Sequence, residues 1–166
     1  MGITILRKIL MLLVFLIYTG CGFLPLHNHP DSMDIFKNIS IQSEDTLIAF
    51  LIKEALEEKA PFNKGSQITL QTKPTIKNSY GVITKENEIT RYSVTLDVEY
   101  SLYHDTKNKL LFSNKVSATS DYSAAVTYTG FATEIARKDT YERLADTVAE
   151  KMITEIFINF SSELSY

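Results

Sequence analysis

Twelve consecutive residues, 91–102, alternate between polar and apolar side chains and constrain the fold more than any other part of the sequence. The apolar positions are Tyr92, Val94, Leu96, Val98, Tyr100 and Leu102, and the polar positions are Arg91, Ser93, Thr95, Asp97, Glu99 and Ser101. Because successive side chains of a β-strand point to opposite faces, this pattern predicts a long strand with one buried and one solvated face. A sheet with a single dry face needs a second layer to cover it.

A second strand is predicted directly downstream of this one. Residues 104–109, with the sequence HDTKNK, have the composition of a polar turn, and residues 111–122 return as a strand. The apolar side chains on one side of this strand are Phe112, Val116, Ala118 and Tyr122. Two alternating runs joined by a short polar turn indicate an antiparallel hairpin.

Two amphipathic helices are predicted to form the covering layer. The first begins after an N-cap at Ser43 or Asp45 and ends at Lys59-Ala60-Pro61. Its apolar residues recur at spacings of three and four, at Leu47, Ile48, Leu51, Ile52, Ala55 and Leu56. The second runs from Ala132 toward Phe160, with an apolar stripe of Tyr141, Leu144, Val148, Met152, Ile156 and Phe160.

The remaining segments complete a strand–helix–strand–strand–strand–helix order. Residues 35–42 and 67–71 have the pattern of short strands. Residues 72–88, which contain Pro74, Asn78 and Gly81, predict a loop or an irregular sheet edge. The predicted fold is therefore α+β: a two-layer sandwich in which two helices cover one face of a mostly antiparallel or mixed sheet of about four strands.

The first twenty residues have the order of parts of a secretory signal peptide. Arg7 and Lys8 are followed by an unbroken apolar run over residues 9–17, and then by the small residues Thr19 and Gly20. The apolar run is short for a membrane span, which takes roughly 20 residues. A retained transmembrane anchor and an ordinary signal peptide, with Cys21 as a bystander, are the alternatives.

Cys21, the only cysteine in the chain, directly follows this leader. The segment Tyr18-Thr19-Gly20-Cys21 resembles the bacterial lipobox, with Tyr18 as its one departure. This resemblance implies cleavage before Cys21 and lipid attachment to it, and Gly22 at the next position favours the outer membrane. The predicted organisation is a signal peptide over residues 1–20, a lipidated tether rich in proline over 21–34, and one α+β domain over 35–166.

The sequence carries no strong catalytic, cofactor or metal motif, and we expect none of these functions. His27 and His29 lie in the predicted tether without cysteine or carboxylate ligands at zinc spacing. His104, in the predicted turn, leaves a small hydrolase open as another functional interpretation. The net charge is −3, and loss of Arg7 and Lys8 with a leader makes it −5, which disfavours nucleic acid as a partner.

Five short segments carry a resemblance to a known family: Cys21-Gly22-Phe23-Leu24-Pro25-Leu26, Thr90-Arg91-Tyr92, Phe131-Ala132-Thr133, Asp139-Thr140-Tyr141-Glu142-Arg143-Leu144 and Ala149-Glu150-Lys151-Met152-Ile153. Together they resemble the LptE family of lipopolysaccharide-assembly lipoproteins, especially its alphaproteobacterial branch. The resemblance implies a sheet of four strands under two helices, and no catalytic activity. It also implies a periplasm-facing, lipid-anchored protein that plugs the outer-membrane β-barrel LptD and assists delivery of lipopolysaccharide.

Two surfaces are candidates for such contacts. The polar face of the strand at 91–102 and the turn Lys107-Asn108-Lys109 are suited to a wet barrel lumen. Cationic side chains suit the phosphates of lipopolysaccharide, and the candidates are Arg91, Lys107, Lys109 and Lys115. The alternative function is a membrane-anchored, periplasm-facing accessory lipoprotein of a transporter or of the cell-wall machinery.

Overall fold

A four-stranded sheet forms one layer of the structure, and two helices packed on one of its faces form the other. The computed structural model describes residues 30–83, 89–123 and 130–161. A 3-10 helix over Pro30–Asn38 is followed by β1 (Ile39–Ser43), α1 (Leu47–Lys59), β2 (Ile68–Ile83), β3 (Ile89–His104), a 3-10 turn (Asp105–Lys107), β4 (Lys109–Ser123) and α2 (Gly130–Ser161). This order confirms the predicted α+β sandwich.

The strands lie side by side in chain order. β1 runs parallel to β2 because α1 carries the chain back between them, and the other two pairs are antiparallel. The register joins Leu96 of β3 to Ile76 on one side and to Ala118 on the other. Apolar positions of neighbouring strands therefore share one face, and the predicted hairpin of β3 and β4 is confirmed.

The long β2 strand decides between the two alternatives for residues 72–88. Residues 72–83 continue β2, so the loop is wrong there and the irregular edge is right, while 84–88 lie outside the described residues. β1 pairs with β2 only as far as Thr72, which leaves Pro74 on an open edge. Proline has no amide hydrogen to donate and is tolerated at such edges. The register shifts between Tyr80 and Val82, around Gly81.

The core lies between the sheet and the two helices. β3 contributes Val94, Leu96, Val98, Tyr100 and Leu102, all buried as the alternation predicts. The closing helix contributes Leu144, Ala145, Val148, Ala149, Met152, Ile153 and Ile156. Tyr92, on the predicted apolar face of β3, and Tyr141, in the predicted apolar stripe of α2, are only partly buried. Tyr92 lies near the start of β3.

The first helix differs from its prediction in two details. Its N-cap is Thr46, whose Oγ1 accepts a hydrogen bond of 3.3 Å from the Ala49 amide, so Ser43 and Asp45 are wrong as caps. Leu47 is 61% exposed although its spacing matches the apolar stripe. The buried stripe is centred on Ile52, and Leu47 lies about 140° around the helix from it.

The chain enters the sheet through a 3-10 helix in which Phe36 is fully buried. The Phe36 ring packs edge-on against Phe62, with 5.2 Å between ring centroids. The strand predicted over residues 35–42 therefore begins only at Ile39. Residues 30–34, which the sequence assigns to the tether, belong to the 3-10 helix. Within the described ranges, no helix is both long enough and apolar enough to cross a membrane.

The sheet has two distinct ends. At the proximal end, Ile39 of β1 pairs with Ile68, which pairs with His104, and His104 pairs with Lys109. The distal end lies at the opposite ends of β2, β3 and β4, about 50 Å away for strands of 15–16 residues. The 32 residues of α2 span a similar length of about 48 Å, so this helix runs along the whole sheet.

Candidate functional site

The sheet face turned away from the helices, which we call the open face, consists mainly of polar side chains. Strand register places the following side chains on it: Ser40 and Gln42; Thr69, Gln71, Lys73, Thr75 and Lys77; Ser93, Thr95, Asp97, Glu99 and Ser101; Ser113, Lys115, Ser117 and Thr119. No described helix covers this face. It offers a broad array of hydroxyl, amide and charged groups to a partner with a polar surface.

Asp97 is the centre of the open face and is buried by its neighbours. Lys77 Nζ donates to Asp97 Oδ2 at 2.7 Å, and Ser117 Oγ donates to Oδ1, also at 2.7 Å. Lys115 Nζ lies 3.6 Å from the same Oδ2. The hydrogen bond from Lys77, followed by that from Ser117, holds the pKa of Asp97 at about 2, below its ordinary value of 3.8.

Hydrogen bonds between strands order the rest of the open face. Thr95 Oγ1 and Thr119 Oγ1 are 2.9 Å apart, and Ser101 Oγ donates to Ser113 Oγ at 3.1 Å. On the other side, Gln71 Nε2 donates to Gln42 Oε1 at 3.1 Å. These cross-strand pairs fix side-chain orientations across all four strands, so a partner meets a preorganised surface.

The four cationic residues predicted to contact lipopolysaccharide lie in three separate places. Lys115 is on the open face, 3.7 Å from Glu99 Oε1 as well as close to Asp97. Lys107 and Lys109 follow His104 at the proximal end. Arg91 pairs with Ser123 at the distal end, about 43 Å along β3 from His104. The fold does not bring the four into one phosphate site.

In the ranges 30–83, 89–123 and 130–161, no three His, Cys, Asp or Glu side chains gather as metal ligands. His104 Nδ1 lies 3.1 Å from Thr106 Oγ1, a neighbour in the same turn. Cys21, His27 and His29 lie outside the described residues.

Three tyrosines form a row at the distal end that the sequence does not predict. Tyr80, Tyr92 and Tyr122 pair across three strands, with ring centroids 5.8 Å and 5.1 Å apart. Desolvation raises the pKa of Tyr122 above its ordinary value. The first turns of α2 also carry exposed Phe131 and Ile135. The alternation in the sequence signals each tyrosine singly, but not their contacts.

An acidic groove separates the outer faces of α1 and α2. Glu54, Glu58, Glu142 and Asp146 line a cleft of about 480 Å³. Cations from within the chain neutralise part of the groove, because Lys59 Nζ lies 2.7 Å from Asp146 Oδ1 and Arg143 pairs with Asp139. Glu54 and Glu58, the two acids that α1 contributes, are exposed.

Comparison with known proteins finds similarity in structure only. No protein-family model matches the sequence, and no curated protein sequence matches it. The fold is similar to that of a candidate lipoprotein from Caulobacter crescentus, with a TM-score of 0.67 at 15% identity. That match covers 80% of this chain and 97% of the other.

Two further matches are to named lipoproteins. Rare lipoprotein B from Shewanella oneidensis matches with a TM-score of 0.55 at 15% identity, covering 78% of this chain and 98% of that one. Lipoprotein B from Nitrosomonas europaea matches with a TM-score of 0.59 at 12% identity, covering 78% and 88%. The chain therefore has the fold of these bacterial lipoproteins over nearly their whole length.

Proposed function

We propose that this protein is an outer-membrane lipoprotein that assists the assembly of lipopolysaccharide into the outer membrane. In this proposal a lipid on Cys21 anchors it on the periplasmic side, and it acts as plug and assembly partner of an LptD-like β-barrel. It has no catalytic activity of its own. The observation that carries the proposal is the fold shared with rare lipoprotein B and similar lipoproteins, in a chain whose one cysteine ends a lipobox-like segment.

The anchor follows from the chemistry of that cysteine. Each buried methylene of an acyl chain contributes about 0.8 kcal/mol, so the several chains of a bacterial lipoprotein hold a protein firmly. Cys21 precedes Pro30, the first described residue, by nine positions. A short tether of this kind keeps the folded domain beside the bilayer without burying it.

The plug role draws on the open face. A barrel lumen that contains water presents polar groups, and a plug must match them with hydrogen-bonding groups of its own. The open face supplies hydroxyls, amides and the Lys77–Asp97–Ser117 group, held in place by cross-strand hydrogen bonds. We therefore assign the contact with the barrel to this face, and the opposite, helical layer to solvent.

Contact with lipopolysaccharide is proposed through single cations and not through one cluster. Arg91 is exposed at the distal end, and the structure gives it no acidic partner among the described residues. Lys115 is less available, because Asp97 and Glu99 already neutralise it. Arg91 is therefore the first of the four candidates to test for binding of the lipid A phosphates, with Lys115→Gln as the comparison.

The second candidate function is an accessory lipoprotein of a transporter or of the cell-wall machinery. It shares the anchor and the fold but lacks the barrel, so the identity of co-purifying proteins separates the two. A hydrolase centred on His104 predicts loss of function in His104→Ala. We expect that variant to behave as wild type, because the His104 ring contacts a threonine of its own turn.

Depletion of the protein in its native host tests the proposed role. We expect lipopolysaccharide to decrease at the cell surface and the barrel protein to accumulate in an unfolded form. Mass spectrometry of membrane-extracted protein provides the matching test of the anchor, and the expected N-terminus is an acylated Cys21. Normal surface lipopolysaccharide after depletion, with Cys21 acylated, would leave the accessory function as the better account.

A further inference from the structure

Three separate chain segments meet at the proximal end and form one surface. The Asn63 amide donates to the Ile39 carbonyl at 3.0 Å, which holds the α1–β2 loop against the start of β1. Ser66 Oγ donates to the Lys37 carbonyl at 3.3 Å. The Asp105 amide donates to the Gln67 carbonyl at 2.9 Å, which adds the β3–β4 turn. Loops that are distant in sequence therefore share a single rigid edge of the domain.

This surface carries three lysines without an acidic partner in the described part of the chain. Lys64, Lys107 and Lys109 are exposed, and none of them has an ion pair with a described residue. Of the acids nearby, Asp34 pairs with Lys37 and Glu57 lies 4.0 Å from Lys53. Asp105 keeps its negative charge, because its 2.8 Å hydrogen bond comes from the neutral hydroxyl of Thr69. Three lysines against this one acid still leave a surplus of positive charge on one edge of a protein whose net charge is negative.

The same edge is the place where the chain enters the domain. The 3-10 helix Pro30–Asn38 leads directly into β1 at Ile39, at the proximal end. Nine residue steps separate Cys21 from Pro30, which a fully extended chain spans in at most about 30 Å, and the 3-10 helix from Pro30 to Ile39 adds at most about 18 Å. A lipid on Cys21 therefore tethers the domain through its proximal end, while the distal end lies up to about 50 Å farther along the sheet.

We propose that the proximal end docks onto the anionic phospholipid headgroups of the leaflet that holds the Cys21 lipid, through Lys64, Lys107 and Lys109. The inference rests on the proposed lipid anchor. It assigns Lys107 and Lys109 to the membrane surface instead of to lipopolysaccharide. Electrostatic attraction of lysines to an anionic surface acts over about one Debye length, roughly 8 Å, so only cations that the tether holds close contribute.

The chain has no tryptophan, so a single introduced tryptophan reports one position without background. The lipidated full-length protein is reconstituted into vesicles of phosphatidylethanolamine and phosphatidylglycerol that contain a dansyl headgroup label. Leu110→Trp places the fluorophore at the proximal end, and Tyr80→Trp places it at the distal end, both at exposed positions. Docking predicts strong energy transfer from the Leu110→Trp reporter and weak transfer from the Tyr80→Trp reporter.

Charge variants then test the lysines. In the Leu110→Trp background, replacement of Lys64, Lys107 and Lys109 by Gln is expected to weaken the docked state about fivefold per lysine. The matched control removes the same charge from α2, which faces solvent in the proposed function, at Arg137, Lys138 and Lys151, and should retain the wild-type signal. Vesicles of phosphatidylcholine alone, or raised salt, should reproduce the loss seen with the lysine variant.

Mass spectrometry of the same preparations separates the two proposals. Acylated Cys21 with equal transfer from both reporters, or with transfer that ignores lipid charge, would overturn the docking surface and leave the proposed function in place. A partner of another kind at this edge, such as protein, would give that outcome. Bare Cys21 in protein from the native host would overturn both.

Discussion

The Tyr100 hydroxyl donates a hydrogen bond of 2.6 Å to the Glu155 carboxylate, which joins the central strand of the sheet to the closing helix. Asn114 Nδ2 of β4 donates to the same Oε2 at 2.8 Å. Burial, followed by the hydrogen bond to Glu155, raises the pKa of the Tyr100 phenol far above its ordinary value of 10.0. The phenol therefore stays protonated and remains a donor at any pH at which the protein functions.

Tyr100→Phe tests this link between sheet and helix. The change removes one hydrogen bond to a carboxylate and leaves the packing of the ring intact. We expect the free energy of unfolding in urea to fall by about 1–2 kcal/mol. Tyr103→Phe is the matched control, because Tyr103 is on the same strand and its side chain has no hydrogen bond to a described residue. It should change stability by less than about 0.5 kcal/mol. Equal effects of the two variants would show that the Glu155 bond contributes nothing.

The depressed pKa of Asp97 predicts a defined pH dependence of stability. A carboxyl group with a pKa of about 2 in the folded protein and 3.8 when unfolded contributes stability above pH 4. That contribution decreases as the pH falls from about 4 to 2, because the unfolded chain binds the proton first. In Asp97→Asn, the free energy of unfolding in urea should decrease less between pH 6 and pH 2 than it does in wild type. The same decrease in both proteins would mean that Lys77 does not hold the carboxylate. Asp121→Asn is the charge-matched control.

The alternation in β3 predicts unequal costs for two leucine truncations. Leu96 is fully buried beneath the helices, so Leu96→Ala should cost about 2–5 kcal/mol in free energy of unfolding. Leu110 is 49% exposed, and Leu110→Ala should cost less than about 1 kcal/mol. Thermal or urea unfolding of both variants measures the difference. Similar losses at the two positions would contradict the placement of the core.

The cap of α1 provides a test at single-residue resolution. Thr46→Ala removes the acceptor for the Ala49 amide and should destabilise the protein by about 0.5–2 kcal/mol. Ser43→Ala and Asp45→Ala, at the two positions that the sequence favours, should each have less effect on urea unfolding. A larger loss in either of these two would move the helix start away from Thr46.

The sequence predicts most of the fold because its strongest patterns are local. The alternation over 91–102 and the stripe from Leu144 to Ile156 each record, in one segment, which face is buried. The N-cap was not predictable in the same way, since Ser43, Asp45 and Thr46 all carry suitable side chains within four residues. Pro74 made β2 look like a loop, because a sequence does not show that β1 ends before it.

The candidate surfaces were less predictable, since their contacts join residues that are far apart in the chain. Asp97 is 20 residues from both Lys77 and Ser117, so its alternating position gave no sign of these partners. The four predicted cations are equivalent as residue types, yet the fold separates Arg91 from Lys107 by nearly the length of β3. Position along the sheet, which only the register fixes, gives them different surroundings.

Affinity purification of the tagged, lipidated protein from detergent-extracted membranes of its host tests the central claim most directly. We predict stable co-purification of a large outer-membrane β-barrel protein. Thr75→Trp, a bulky change at an exposed position of the open face, should reduce the recovered barrel about tenfold, while Thr147→Trp on the exposed side of α2 should leave it unchanged. Recovery of the protein without a barrel, or an equal yield of barrel with both variants, would contradict the account.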